Sequence, residues 1–266
     1  MRQRQFLEVV DEGSAHRGFA DATSHLAPAI ETVALRAALG RVLAADVVAA
    51  VDVPGFDRSN MDGFAVRAID TRGAEELAPV RLDLLGPPLA AGDRPAAGFE
   101  VTPGAVVPIA TGAIIPRGAD AVVMIEHTRP LDDGIAITRP VAPGGNLTFA
   151  GSDIGRGDVV ARRGTRLSSR ETGVLAAVGA DRVGVIRKPV DAELSTGDEI
   201  VAPGDPIEPG GVYDSNQQIL LDAAAEAGCE PLGLGIVADD EAAVRAAVED
   251  AVARADGFVV VPAGSE

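Results

Sequence analysis

The stretch VDAELSTGDE, residues 190–199, followed by DSNQQILLDAAAEAG (214–228), PLGLGIV (231–237), EAAVRAAVEDAVARA (241–255) and GFVVV (257–261), decides the architecture of the C-terminal third. Short apolar runs alternate with alanine-rich, helix-length segments. This rhythm predicts a β-α-β-α-β unit with parallel strands joined by right-handed crossovers. Ser215 followed by Gln218 reads as a capping box for the first helix, with Gly228 as its stop. Asp239 or Asp240 caps the second. Ligands of open α/β sheets gather beyond the carboxyl ends of the strands. That edge would assemble Ser195 to Glu199, Ala238 to Asp240, and the terminal Pro262 to Glu266, bringing Glu199 and Asp239 towards one another. Two successive right-handed crossovers are expected to place both helices on one face, whereas a parallel sheet normally needs both faces covered.

Upstream, the rhythm is different. VRLDLL (80–85), GAVVPIAT (104–111), DAVVMIEH (120–127) and GIAITRPV (134–141) are short, partly alternating runs divided by Gly, Pro and Asp, which predicts a small β barrel or sandwich. LRAALGRVLAADVVA (35–49) has helical spacing and then β-branched residues, and SSRETGVLAAVG (168–179) predicts a serine-started helix ending at Gly179. The expected fold class is therefore multidomain α+β. It comprises an elongated helical and linking region (1–53 with 146–180), a small β-rich domain (54–145), and an incomplete α/β domain with a parallel sheet (181–266).

Composition narrows the function. With 23 Lys+Arg against 40 Asp+Glu the net charge is −17, a surface that repels phosphate backbones and argues against a nucleic-acid partner. Lys188 is the sole lysine and aromatics are 3%, so lysine chemistry and base-stacking platforms have little to draw on. His16, His25 and His127 lack zinc-ligand spacing. One cysteine, Cys229, excludes an intrachain disulfide and reads as core filler. No apolar run is long enough to span a membrane, and acids interrupt the N-terminus where a leader peptide would be apolar. The expectation is a cytoplasmic protein with no membrane association.

Five polar turns could carry chemistry. In STGDE (195–199), successive backbone N–H groups can cradle an anion while Asp198 and Glu199 offer hard oxygen ligands; an ordinary solvated turn explains the same residues. Asp239 is equally a helix cap. PGFDRSNMDGFAV (54–66) ends in Asp62-Gly63, a hairpin signal, yet carries more hydrogen-bonding side chains than a turn requires. Thr111-Gly112 and the Asp153 and Asp158 loop are turns or anion-facing segments on the same grounds. Neither a P-loop nor a G-x-G-x-x-G is present.

Taken in order, ALGRVLAADVVA, VPGFDRSNMDGFAVRAIDT, IATGAIIPRGADAVVMIE, GSDIGRGDVV, LSTGDEIV, YDSN and GIVADDEAAVRAAV resemble the molybdopterin molybdenumtransferases, the MoeA and gephyrin E-domain family. The resemblance runs from about residue 30 to residue 261 and matches the N-terminal two-thirds of the family pattern. It implies an α/β domain of the molybdopterin-binding type. It also implies an enzyme that takes adenylylated molybdopterin and molybdate, inserts molybdenum and releases AMP, with Mg²⁺ as cofactor. Carried over by motif, Asp62, Asp153, Glu199 and Asp239 are the catalytic candidates. Thr111, Ser195, Thr196, Gly197, Asp198 and Asn216 would bind the pterin nucleotide, and Glu199 and Asp239 would serve Mg²⁺. In the family Asp62, Thr111 and Asp153 face the α/β domain of the other subunit, which implies a homodimer; a molybdopterin adenylyltransferase is the implied supplier. The chain has Thr148 and Ser152 where the family usually has Arg and Glu, and PAGSE (262–266) where the family continues into a glycine-rich loop and a further β domain. The other expectation is thus a truncated homologue serving as a dimerising or binding module.

Overall fold

The caps and breakers of the sequence delimit four helices, α1 (Glu12–Thr23), α2 (Ser169–Ala177), α3 (Ser215–Ala227) and α4 (Glu241–Arg254), in a computed structural model that describes residues 10–24, 27–256 and 258–260. Contacts divide the chain into two units. One consists of Met1–Ala45, Arg163–Ser169 and Arg182–Glu266, the other of Asp46–Arg162 and Arg170–Asp181.

The β-rich unit is built on a six-stranded sheet in the order Ala121–Met124, Gly63–Val66, Ala105–Ile109, Val80–Leu84, Gly134–Ile137, Thr128–Leu131. Its pairings are antiparallel except that between Val80–Leu84 and Ala105–Ile109. Successive residues of a strand point to opposite faces. Val106 joins a cluster with Val66, Leu82, Val123 and Ile137, while Val107 joins another with Ala65, Val101, Ile109 and Val122. Both faces of the sheet are therefore covered by apolar packing. The four strands expected in the middle of the sequence all form.

Asp62-Gly63 does not make a hairpin. Arg58–Ser59 pairs with Leu147–Thr148, and Gly63 instead opens the Gly63–Val66 strand between two neighbours. A Cβ at Gly63 would lie 2.0 Å from the Val123 carbonyl oxygen, so the glycine serves close strand approach. The helical spacing after residue 35 yields only a 3-10 turn, Leu35–Ala37, before isolated bridges take over at Val42 and Leu43. Arg182–Ile186 pairs antiparallel with Ile30–Ala34, outside the parallel sheet.

In the other unit, Val190–Thr196 lies between Glu230–Val237 and Phe258–Val260, all parallel. The strand that comes first in sequence is central. The second crossover therefore runs back past it, in the direction opposite to the first, and right-handed crossovers of opposite direction put α3 and α4 on opposite faces. This overturns the expectation of two helices on one face. Gly233 identifies the α3 face, since a Cβ there would meet Leu221 Cδ1 at 3.4 Å.

The caps differ from expectation too. Asp214, not Ser215, is the N-cap of α3: its side chain accepts from the Gln217 N–H at 3.0 Å, and Ser215 is already helical. Asp240 caps α4, accepting from Ala243 N–H at 2.9 Å. Gly228 ends α3 in the left-handed conformation, φ 99°, as expected. The Pro262 to Glu266 segment lies outside the described residues.

Candidate functional site

Two sets of polar loops carry the residues singled out above, one in each unit. In the β-rich unit, Asp62 and Thr111 meet although 49 positions separate them. Asp62 Oδ1 accepts from the Thr111 backbone N–H at 2.7 Å and from its Oγ1 at 2.9 Å. These bonds, the backbone one first, hold the exposed Asp62 carboxyl below the ordinary aspartate range. The loop around them is tied down locally. Gly112, in the left-handed region at φ 83°, donates its N–H to the Ser59 carbonyl at 2.8 Å, and buried Ser59 closes on Met61 through its hydroxyl at 2.6 Å. Thr148 Oγ1 donates to Asn60 Oδ1 at 2.5 Å, and Asp57 Oδ1 accepts from Ala150 N–H at 2.8 Å.

Asp153 sits on the adjoining loop, anchored by its backbone N–H to the Val53 carbonyl at 3.0 Å. Its exposed carboxylate has Ser152 Oγ at 3.5 Å and makes no bond to Asp62 or Thr111. Thr148 and Ser152 thus both contact polar side chains of these loops.

In the α/β unit the central strand delivers Ser195 and Thr196 to its carboxyl end, in register with Ile236 and Val237. Gly197 follows at φ 146°, its N–H donating to the Val237 carbonyl at 3.2 Å. That φ is one L side chains rarely adopt, which favours glycine here, and a Cβ would in addition sit 2.8 Å from Ile200 Cγ1 and 2.9 Å from Glu199 Oε2. The Glu199 carboxylate folds back over the glycine while its backbone carbonyl accepts from Val212 N–H at 2.9 Å. Asp198, rather than Glu199, reaches the neighbouring loop: its Oδ1 accepts from the Asp239 N–H at 3.1 Å across 41 positions. With Asp240 taken as the cap, the Asp239 side chain is left for other work. Neither the Glu199 nor the Asp239 carboxylate accepts a hydrogen bond from a described residue, and both are exposed.

Asn216 lies exposed on the first turn of α3, beside a residue that sequence reasoning passed over. Asp214 is 6% exposed, its Oδ2 has no described partner, and the same holds for the buried Ser195 Oγ. The signal was the aspartate immediately before Ser-Asn at a helix start, which the capping-box reading assigned to Ser215. Among the described residues no group of three or more His, Cys, Asp or Glu side chains is arranged to hold a metal ion. The rim offers exposed carboxylates and backbone N–H groups, a donor set for a hard, hydrated cation and an anionic ligand together.

An acidic rim at the carboxyl edge of a parallel sheet defines a ligand-binding α/β module of the open-sheet class, here joined in one chain to a β-rich unit. Residues 14–179 match the family described as MoeA N-terminal region (domain I and II), and residues 192–265 match the probable molybdopterin binding domain. The chain belongs to the MoeA family. It is 40% identical over 242 residues to the molybdopterin molybdenumtransferase of Bacillus subtilis (strain 168), covering 88% of this chain and 54% of the relative. The molybdopterin molybdenumtransferase of Nostoc sp. is 37% identical over 234 residues, covering 88% of this chain and 52% of the relative. A crystal structure of the molybdopterin biosynthesis moea protein from Pyrococcus horikosii superimposes with a TM-score of 0.86 at 40% identity, covering 92% of this chain and 62% of that one. The chain spans about half the length of the curated relatives it matches.

Proposed function

We propose that this chain acts in molybdenum cofactor biosynthesis as a molybdopterin molybdenumtransferase, placing molybdenum from molybdate on adenylylated molybdopterin with release of AMP. The observation that carries the reading is the Asp198–Asp239 link, which ties the STGDE turn to the next strand-end loop at the carboxyl edge and leaves the Glu199 and Asp239 carboxylates exposed at one rim. Backbone N–H groups of the Ser195 to Gly197 turn and Asn216 would bind the nucleotide phosphates, and Glu199 and Asp239 would hold Mg²⁺. Exposed carboxylates fit this ion, which keeps several waters and takes one or two carboxylates plus substrate phosphates. When bound it would neutralise charge on the pyrophosphate.

In this reading Asp62, Thr111 and Asp153 face the α/β unit of a second copy, so the working site is composed across a homodimer. Thr111 holds Asp62 ionised, as a fixed negative wall or proton acceptor. The setting is the cytoplasm, with a molybdopterin adenylyltransferase supplying the substrate, and the linking, β-rich and α/β domains divide at about residues 53, 145 and 180 as the sequence suggests. The test incubates the purified chain with adenylylated molybdopterin, molybdate and Mg²⁺ and follows AMP. Release that disappears in Glu199→Ala is expected; no release from the folded wild-type protein overturns the catalytic reading for this chain. Mixing Asp62→Ala with Glu199→Ala chains restores part of the activity if each site draws on two subunits, and none if it does not.

A further inference from the structure

The face of the central strand that α3 covers carries Asp191, Glu193 and Ser195, whereas Ala192 and Leu194 point the other way. Glu193 stands in register with Gly233, the residue against which Leu221 and Gln217 of α3 pack. It is 1% exposed. Among the described residues its Oε2 has no hydrogen-bond partner, and neither have Asp191 Oδ1 and Ser195 Oγ.

Among the described residues no cationic side chain acts on Glu193 or Asp191. The charged neighbour felt by Glu193 is Asp191, on its own strand, and the same Asp191 acts on Cys229 at the end of α3. From α3 come the buried N-cap Asp214 and the Gln217 amide, which donates to the backbone carbonyls of Glu193 (3.4 Å) and Gly235 (3.0 Å) and not to the carboxylate. The other acids of α3, Asp222 and Glu226, are exposed. The flanking strands bring Gly233 and Val260 into register with Glu193, neither of them charged.

An ionised carboxylate removed from water without a partner costs far more than a neutral acid in the same place. Binding a proton removes that cost. We propose that Glu193 takes up a proton as the α/β unit folds, and that this proton seats α3 on the central strand, so that rising pH loosens the helix. Burial, and for Glu193 also the charge of Asp191, raises both carboxyls above their ordinary range, in agreement with this. A carboxyl that holds its proton more tightly when folded contributes stability that is complete below its unfolded midpoint and lost as pH rises through the folded one. Gln217 straps the start of α3 to two strands, so the loosened helix carries Asp214 and Asn216 with it. Only the effect of that movement on ligand binding rests on the functional reading above.

The test is hydrogen exchange of the α3 amides in the full chain between about pH 5 and 8, corrected for intrinsic rates, in wild type, Glu193→Gln and Asp191→Asn. One proton linked to opening makes the wild-type opening constant climb by up to about tenfold per pH unit until Glu193 is ionised. Glu193→Gln should flatten this rise, Asp191→Asn should move it to lower pH, and α2 should behave alike in all three proteins. Equal pH slopes in wild type and Glu193→Gln overturn the proposal. Should Glu193→Gln fail to fold, carboxyl ¹³C titration of the wild-type protein decides: a glutamate midpoint above the ordinary value of about 4.3 supports it, and glutamates that all titrate at or below that value overturn it. AMP release enters neither readout.

Discussion

The inner strand Ala105–Ile109 of the β-rich unit and the central strand Val190–Thr196 of the α/β unit are both enclosed by neighbours, in different chemical company. The first sends Val106 to one apolar cluster and Val107 and Ile109 to the other. The second buries Ala192 and Leu194 on one side and Glu193 and Ser195, beside a half-buried Asp191, on the other. Apolar burial contributes about 25 cal/mol per Å² whatever the pH. A buried carboxyl contributes or costs according to whether it holds a proton. One sheet is thus held unconditionally and the other conditionally, and substitutions on the two should respond with opposite signs.

The largest effect is expected from Ile137→Ala, which empties a fully buried position of the β-rich sheet and should lower stability by about 2–5 kcal/mol. Urea unfolding would show it as a lowered midpoint at every pH. Glu193→Leu should do the reverse in the α/β unit, raising its stability by about 1–3 kcal/mol because an unpartnered polar atom is removed. The gain should be greatest at alkaline pH, where wild type carries the charge, and should shrink as pH falls. A loss of stability on this substitution would erase the contrast between the two sheets.

Smaller again is Asp240→Ala, which removes the α4 cap at a cost of about 0.5–2 kcal/mol; the same change at Asp239 should leave α4 unaffected by circular dichroism. The smallest effect is electrostatic. Thr111→Val removes one of the two bonds to Asp62 and should move its carboxyl midpoint part of the way up to the ordinary aspartate value of about 3.9, followed by ¹³C NMR. The backbone N–H, the larger cause, remains. Because the folded midpoint lies below the unfolded one, this bond's support is present at neutral pH and fades only as pH falls through the folded midpoint.

Much of the α/β unit could be read from local patterns. Gly228 ends α3 and an aspartate of the 239–240 pair starts α4 because caps are decided within a few residues. The misreadings are instructive for the same reason. Asp62-Gly63 has the composition of a hairpin, but the space that excludes a side chain at Gly63 belongs to Val123, a residue 60 positions away. Ser215 with Gln218 has the spacing of a capping box, and Asp214 one place earlier takes the bond. VDAEL reads as a strand of the α/β unit, and nothing local says that α3 will lie over Asp191 and Glu193. Of the candidate site, the strand-end loops were legible, while the choice of Asp198 as the residue that reaches Asp239 was not.

Sequence by itself determined how α3 and α4 alternate with the three strands of the α/β unit, the parallel sense of those strands and the acidic character of their carboxyl edge, because periodicity, breakers and crossover length act over short distances. Tertiary structure alone decided that the first of those strands becomes the middle one. Handedness restricts how a crossover turns but not which side of the sheet the next strand joins, and that side determines which face each helix covers and which carboxyls lose their water.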